Sequence, residues 1–125
     1  MTYRNLPDIP IGSRWQKTLP FRDETGAPAD FAGWSGRMQI RDDFGGTLIA
    51  TLRVGATPAN TATNSGTITF PGDGNVVLYL PATFTALLSE YGAAVYDVEL
   101  INPAAEPDRV LEGRVKITQE VTTDA

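Results

Sequence analysis

Apolar residues recur at every second position through most of this chain, in short runs cut by clusters of turn formers. Successive side chains of a strand point to opposite faces, so this period places one face of each run in a core and the other in water. Trp15, Leu19 and Phe21 alternate with Arg14, Gln16 and Thr18, which predicts a first strand near 13–21. Met38 and Ile40 alternate with Arg37, Gln39 and Arg41; Leu48, Ala50, Leu52 and Val54 alternate with Thr47, Ile49, Thr51 and Arg53. Between them Asp42-Asp43-Phe44-Gly45-Gly46 is a turn signature, so residues 37–54 are expected to form a hairpin.

Two more hairpins are expected. Ile68 and Phe70 run into Pro71-Gly72-Asp73-Gly74, after which Val76, Leu78 and Leu80 resume the alternation. Tyr96, Val98 and Leu100 lead into the loop 102–108, and Leu111, Gly113, Val115 and Ile117 return on one face of the next strand. One segment has another period. Phe84, Leu87, Leu88 and Tyr91 recur as the stripe of a short amphipathic helix near 82–90, with Gly92 as its stop.

Seven or so short strands, regular turns and no alternation of strands with helices predict an all-β fold: an antiparallel immunoglobulin-like sandwich with one connecting helix. A small closed barrel is the alternative. A chain of 125 residues is expected to form one domain, here residues 13–122, preceded by an extended arm over 1–12.

Missing residue types exclude several chemistries. The sequence holds no histidine and no cysteine, so a Ser-His-Asp or Cys-His apparatus, a thiolate or imidazole zinc site and a disulfide are all ruled out. Ten basic residues stand against fifteen acidic ones, for a net charge of −5, and the basic ones are scattered. Nucleic acid is not an expected partner, because phosphate neutralisation needs concentrated basic surface. No apolar run reaches the ~20 residues of a membrane-spanning helix, and the first residues lack the apolar stretch of a signal peptide. Neither membrane nor cofactor is expected, and synthesis in the cytoplasm is.

Polar clusters read as structure. Asp97 and Glu99 point the same way, as hydrolytic carboxylate pairs do, but Glu112, Arg114 and Lys116 on the next strand and Arg37 and Arg41 on another offer cross-strand charges. Asp42-Asp43 and Asp73-Gly74-Asn75 lack the ligand spacing of a calcium loop and fit turns. No glycine-rich piece opens a helix as a phosphate loop does. Trp15, in register with Leu19 and Phe21, belongs to the core, whereas Trp34 sits in a turn-rich segment and is a candidate contact residue.

Four pieces carry a resemblance to a known family: Asp23-Glu24-Thr25-Gly26-Ala27-Pro28 with Asp30-Phe31-Ala32-Gly33-Trp34; Gly36-Arg37-Met38-Gln39-Ile40-Arg41; Gly66-Thr67-Ile68-Thr69-Phe70; and Val95-Tyr96-Asp97-Val98-Glu99-Leu100 followed by Arg109-Val110-Leu111-Glu112-Gly113-Arg114-Val115. With the closing Gln119-Glu120-Val121-Thr122, the order resembles small phage and prophage tail proteins and the N-terminal immunoglobulin-like domain of baseplate proteins. The resemblance implies a non-enzymatic virion protein that docks other phage structural proteins, in a symmetric or ring-forming assembly of the tail, baseplate or neck. A capsid decoration or head–tail connector protein and a carbohydrate-binding module are the alternatives, the last needing exposed aromatics such as Trp34.

Two segments are candidates for contacts. The arm carries Tyr3, Leu6, Ile9 and Ile11, with Pro7 and Pro10 favouring an extended course. It has two possible fates: an edge strand on its own sandwich, or an anchor reaching a neighbouring subunit. The loop 55–65 is small and polar, reads as mobile, and offers Thr57, Asn60, Thr63 and Asn64 for adaptable hydrogen bonds.

Overall fold

In the computed structural model, which describes residues 2–119, nine strands and a single helical turn follow one another. They are β1 (Thr2–Tyr3), β2 (Ile9–Pro10), β3 (Trp15–Pro20), β4 (Ser35–Arg41), β5 (Leu48–Val54), β6 (Gly66–Gly72), β7 (Asn75–Leu80), α1 (Ala82–Thr85), β8 (Ala93–Ile101) and β9 (Pro107–Thr118). The expected seven strands are β3 to β9, each of six residues or more, and the arm adds two strands of two residues. The expected domain end at 122, with Glu120-Val121-Thr122, lies outside the described residues.

The strands form one sheet in the order β1-β9-β8-β4-β5-β6-β7-β3, with β2 on the far end of β9. All three expected hairpins are present: β4 with β5, β6 with β7, and β8 with β9. The sheet curls on itself into a sandwich around one core. Its two ends approach without pairing, leaving a groove of about 240 Å³ walled by Thr2 and Arg4 on one side and Leu19 and Pro20 on the other. The barrel is therefore not closed.

The sheet is mixed, not purely antiparallel. β5 and β6 run parallel, and so do both arm strands against β9. The reason lies in the connections. Residues 55–65 carry the chain back along β5 instead of turning tightly, and the arm travels in the direction of β9. That return also buries Ile49, Ala50, Thr51 and Leu52 in succession, where strict alternation was expected. Thr51 N–H donates to Ser65 Oγ at 3.0 Å, and Ser65 N–H donates to the Thr51 carbonyl at 2.9 Å.

The core is aliphatic at its centre: Met38, Ile40, Leu52, Ile68, Val76, Leu78, Leu80 and Val98 are fully buried. Each such side chain contributes about 1.5–3 kcal/mol relative to exposure. Trp15 is buried as expected.

The helix near 82–90 is shorter than expected. After one α turn, Leu88 N–H donates to the Thr85 carbonyl and Tyr91 N–H to the Leu88 carbonyl, a spacing of three. Phe84, Thr85 and Leu88 are buried with Tyr91 half-buried, and Leu87 is left 57% exposed.

Candidate interaction surfaces

The arm lies on its own domain. Arg4 N–H donates to the Glu112 carbonyl at 2.7 Å, Leu6 N–H to the Arg114 carbonyl at 3.0 Å and Ile11 N–H to the Thr118 carbonyl at 2.9 Å. Two residues at paired positions of β8 and β9, Tyr96 and Gly113, make this possible. A Cβ on Gly113 would meet the Arg4 carbonyl, so only glycine lets the arm backbone approach so closely. Beside it the Tyr96 hydroxyl donates to the same carbonyl at 2.6 Å. Burial pushes this phenol up to about 12. Trp15 Nε1–H donates to the Pro7 carbonyl at 3.2 Å, tying the arm to β3 as well.

These bonds turn Leu6 and Ile9 inward. They are 5% and 0% exposed, so the two expected contact residues are core side chains, as is Ile11. The physical reason is that proline spacing straightens the arm while the glycine track on β9 receives it. Tyr3 remains available, 63% exposed.

The loop 55–65 spends much of its polarity on itself. Asn64 Nδ2–H donates to the Thr57 carbonyl at 2.8 Å, Asn64 and Thr61 exchange backbone bonds, and Thr83 Oγ1–H donates to Asn60 Oδ1 at 3.1 Å. Asn64 is half-buried; Thr57, Asn60 and Thr63 are exposed.

Trp34 is half-buried. Its ring meets Phe31 edge-on at 5.6 Å, Phe31 stacks on Phe70 at 5.0 Å, and Phe21 meets Phe31 edge-on at 5.9 Å. This aromatic group closes one end of the sandwich beside an open groove of about 470 Å³, lined by Phe31, Phe70, Asp30, Asp73 and Asn75 among others.

The outer face of β4, β8 and β9 carries charge in pairs. Arg37 meets Glu99 at 2.9 Å, and Arg109 lies 3.6 Å from Asp97 and 4.0 Å from Glu112. Asp97 is held above its ordinary value by burial, against the pull of Arg109. The carboxylate pair is thus cross-strand pairing, and such exposed bridges contribute about 0–1 kcal/mol each. Among the described residues no group of acidic side chains could hold a metal, and no helix is long and apolar enough to cross a membrane.

Above this face stands a residue whose sequence context marks only a turn. Phe44, at the tip of the β4–β5 hairpin, is 71% exposed. The tip is braced: Arg41 Nη1–H donates to the Gly46 carbonyl at 2.9 Å, Thr47 N–H to Asp42 Oδ1 at 2.8 Å, and Phe44 N–H to Asp43 Oδ1 at 2.8 Å. Phe44, Arg41, Asp97, Arg109 and Glu112 line a groove of about 260 Å³. The sequence does hold one signal for it: an aromatic residue inside a turn otherwise made of Asp and Gly has no local role there.

The chain matches no protein-family model, and no curated protein resembles it in sequence. Solved structures match the chain at low identity, each with a TM-score below 0.5. A glycoside hydrolase family 107 endo-fucoidan hydrolase is 12% identical with a TM-score of 0.48; the match covers 95% of this chain but only 13% of the hydrolase. CopC from Methylosinus trichosporium OB3b is 13% identical, with a TM-score of 0.42 and coverage of 93% and 88%. Murine CRIg is 8% identical, with a TM-score of 0.47 and coverage of 93% and 92%. At these scores the matches carry no assignment, and the activities belong to those proteins.

Proposed function

We propose that this chain is a non-enzymatic docking module that works by protein–protein contact, in a phage tail, baseplate or neck as its sequence resemblance implies. The observation that carries the docking reading is Phe44: a large aromatic held out in water on a braced hairpin tip, above a groove flanked by Arg41 and Arg109. Aromatic residues and arginine dominate the energetics of protein interfaces because they bring large contact area with polar specificity. Exposing Phe44 gains the isolated domain nothing, whereas seating it in a partner's pocket contributes about 1.5–3 kcal/mol.

Particles purified from the phage or prophage that encodes the chain provide the test. Quantitative mass spectrometry is expected to find it at about 3, 6 or 12 copies, the orders of closed rings. Phe44→Ala is expected to fold normally and be depleted from particles. Absence of the parent chain from particles overturns the virion assignment, and normal incorporation of Phe44→Ala overturns the docking surface.

A further inference from the structure

We propose that the aromatic end of the sandwich binds a neutral carbohydrate, with a pyranose C–H face packed against the groove-lining side of the Phe31–Phe70 stack and its hydroxyls held by the polar rim of the groove. Three of the five phenylalanines and one of the two tryptophans gather here, and none of them is fully buried. They pack against the edge of the core, whose centre is filled by aliphatic side chains, and each keeps part of its surface exposed. Phe31 and Phe70 stack on each other, 25° apart at 5.0 Å, while Phe21 and Trp34 meet Phe31 at 85° and 81° and fix its plane. Trp34 therefore braces the stack and does not line the groove, which moves the sugar contact from Trp34 to the groove-lining side of Phe31 and Phe70.

The walls are set in advance. Phe21 N–H donates to the Gly74 carbonyl at 2.8 Å and Ala29 N–H to the Phe21 carbonyl at 3.1 Å, linking the two loops that face each other across the groove. Asp30 Oδ1 accepts the Ala32 N–H at 3.0 Å, and Trp34 N–H donates to the Phe31 carbonyl at 3.0 Å. A groove ordered before binding spares the ligand that entropic cost. Its volume of about 470 Å³ falls within the range of about 300–1,000 Å³ common to small-molecule sites.

Chemistry selects the ligand class. Asp30 and Asp73 line the groove and no basic residue does, so phosphate, sulfate and uronate groups are repelled. An apolar ligand would strip water from Asp30, Asp73 and Asn75 without replacing it. A neutral pyranose has a C–H face that packs on an aromatic ring and a girdle of hydroxyls that donate to carboxylates and amide oxygens. These residues are separate from Phe44, Arg41 and Arg109, so this site stands or falls independently of the docking surface.

The test titrates isotope-labelled protein with maltohexaose, cellohexaose and chitohexaose at millimolar concentration, following backbone amides by NMR. At least one of the three is expected to shift amides of residues 29–34 and 70–75. Phe70→Ala is expected to weaken that binding at least about tenfold. Asp73→Asn weakens it several-fold while keeping a residue that tolerates the left-handed backbone at φ 56°. Phe44→Ala leaves it unchanged. The proposal is overturned if none of the three sugars shifts these amides, if the shifts map elsewhere, or if binding survives both groove substitutions in folded protein. A response of the same amides to an apolar peptide, with none to the sugars, overturns it equally.

Discussion

The N-terminal arm and the β4–β5 hairpin tip place their apolar residues in opposite ways. The arm is apolar, proline-spaced and outside any strand alternation, open to an edge-strand course or to a reach into a neighbour; it takes the first, with Leu6, Ile9 and Ile11 buried in the domain's own core. The tip is Asp, Gly and one phenylalanine, like an ordinary solvent turn; yet it holds the most exposed of the large apolar side chains described, Phe44. Burial follows what lies opposite a residue, not how apolar its own segment is. Gly113 leaves a track across β9 that the arm backbone can enter, and no element among the described residues passes over Phe44 to cover it.

Removing the arm breaks the comparison most severely. Deletion of residues 2–10 takes Leu6 and Ile9 out of the core and strips partners from the Trp15 indole and the Tyr96 hydroxyl. At about 2–5 kcal/mol per lost buried aliphatic side chain, most of a small domain's stability is at stake. Thermal melting followed by circular dichroism is expected to show a fall on the order of 15 °C or more, or no cooperative transition. An unchanged melting temperature would place the arm off the core.

Closing the glycine track is the next largest perturbation. Gly113→Ala sets a methyl group against the Arg4 carbonyl, with an expected loss of about 1–3 kcal/mol from overpacking. Hydrogen exchange is expected to accelerate at the amides of Arg4 and Leu6 first, because these donate across that track. Uniform acceleration throughout the sheet would contradict a local track.

Tyr96→Phe sharpens the same seam with one atom. Loss of the hydroxyl bond to the Arg4 carbonyl is expected to lower stability by about 1 kcal/mol. It also changes the alkaline limb. The phenol is raised from 10.0 to about 12 in the folded chain, so between these values the unfolded chain releases a proton that the folded chain keeps. Stability therefore falls as pH rises through this window. Denaturant titrations from pH 9 to 12 are expected to show a shallower decline for Tyr96→Phe than for the parent, and parallel curves would remove the seam's role in it.

At the tip the stability effect is smallest. Phe44→Ala is expected to change folding free energy by no more than about 0.5 kcal/mol, since the ring covers little of its own domain. A large destabilisation would mean that Phe44 packs on its own sheet, and the contrast with the arm would vanish.

Much of the fold is legible in the sequence. The three hairpins, the burial of Trp15 and the all-β class follow from period-two alternation and from turns rich in Gly, Asp and Pro. These signals are local: each depends on side-chain direction along a strand or on φ values at a few residues. The candidate contacts are less legible. Of the arm, Tyr3 stays on the surface while Leu6 and Ile9 do not; of the loop 55–65, Thr57, Asn60 and Thr63 stay exposed while Asn64 turns inward. Phe44 is masked by the turn signature around it, because Asp and Gly explain the turn without the ring.

The sequence by itself determined the strands, their turns and the absence of histidine and cysteine chemistry, because alternation, turn propensity and composition need no distant partner. Only the tertiary structure decided the parallel pairing of β5 with β6, the docking of the arm beside Gly113 and the gathering of Phe21, Phe31, Trp34 and Phe70 at one end. Each of these joins residues far apart in the chain. Which edge receives a strand, and which rings meet, depends on how the sheet curls, and that curl is a property of all its strands together.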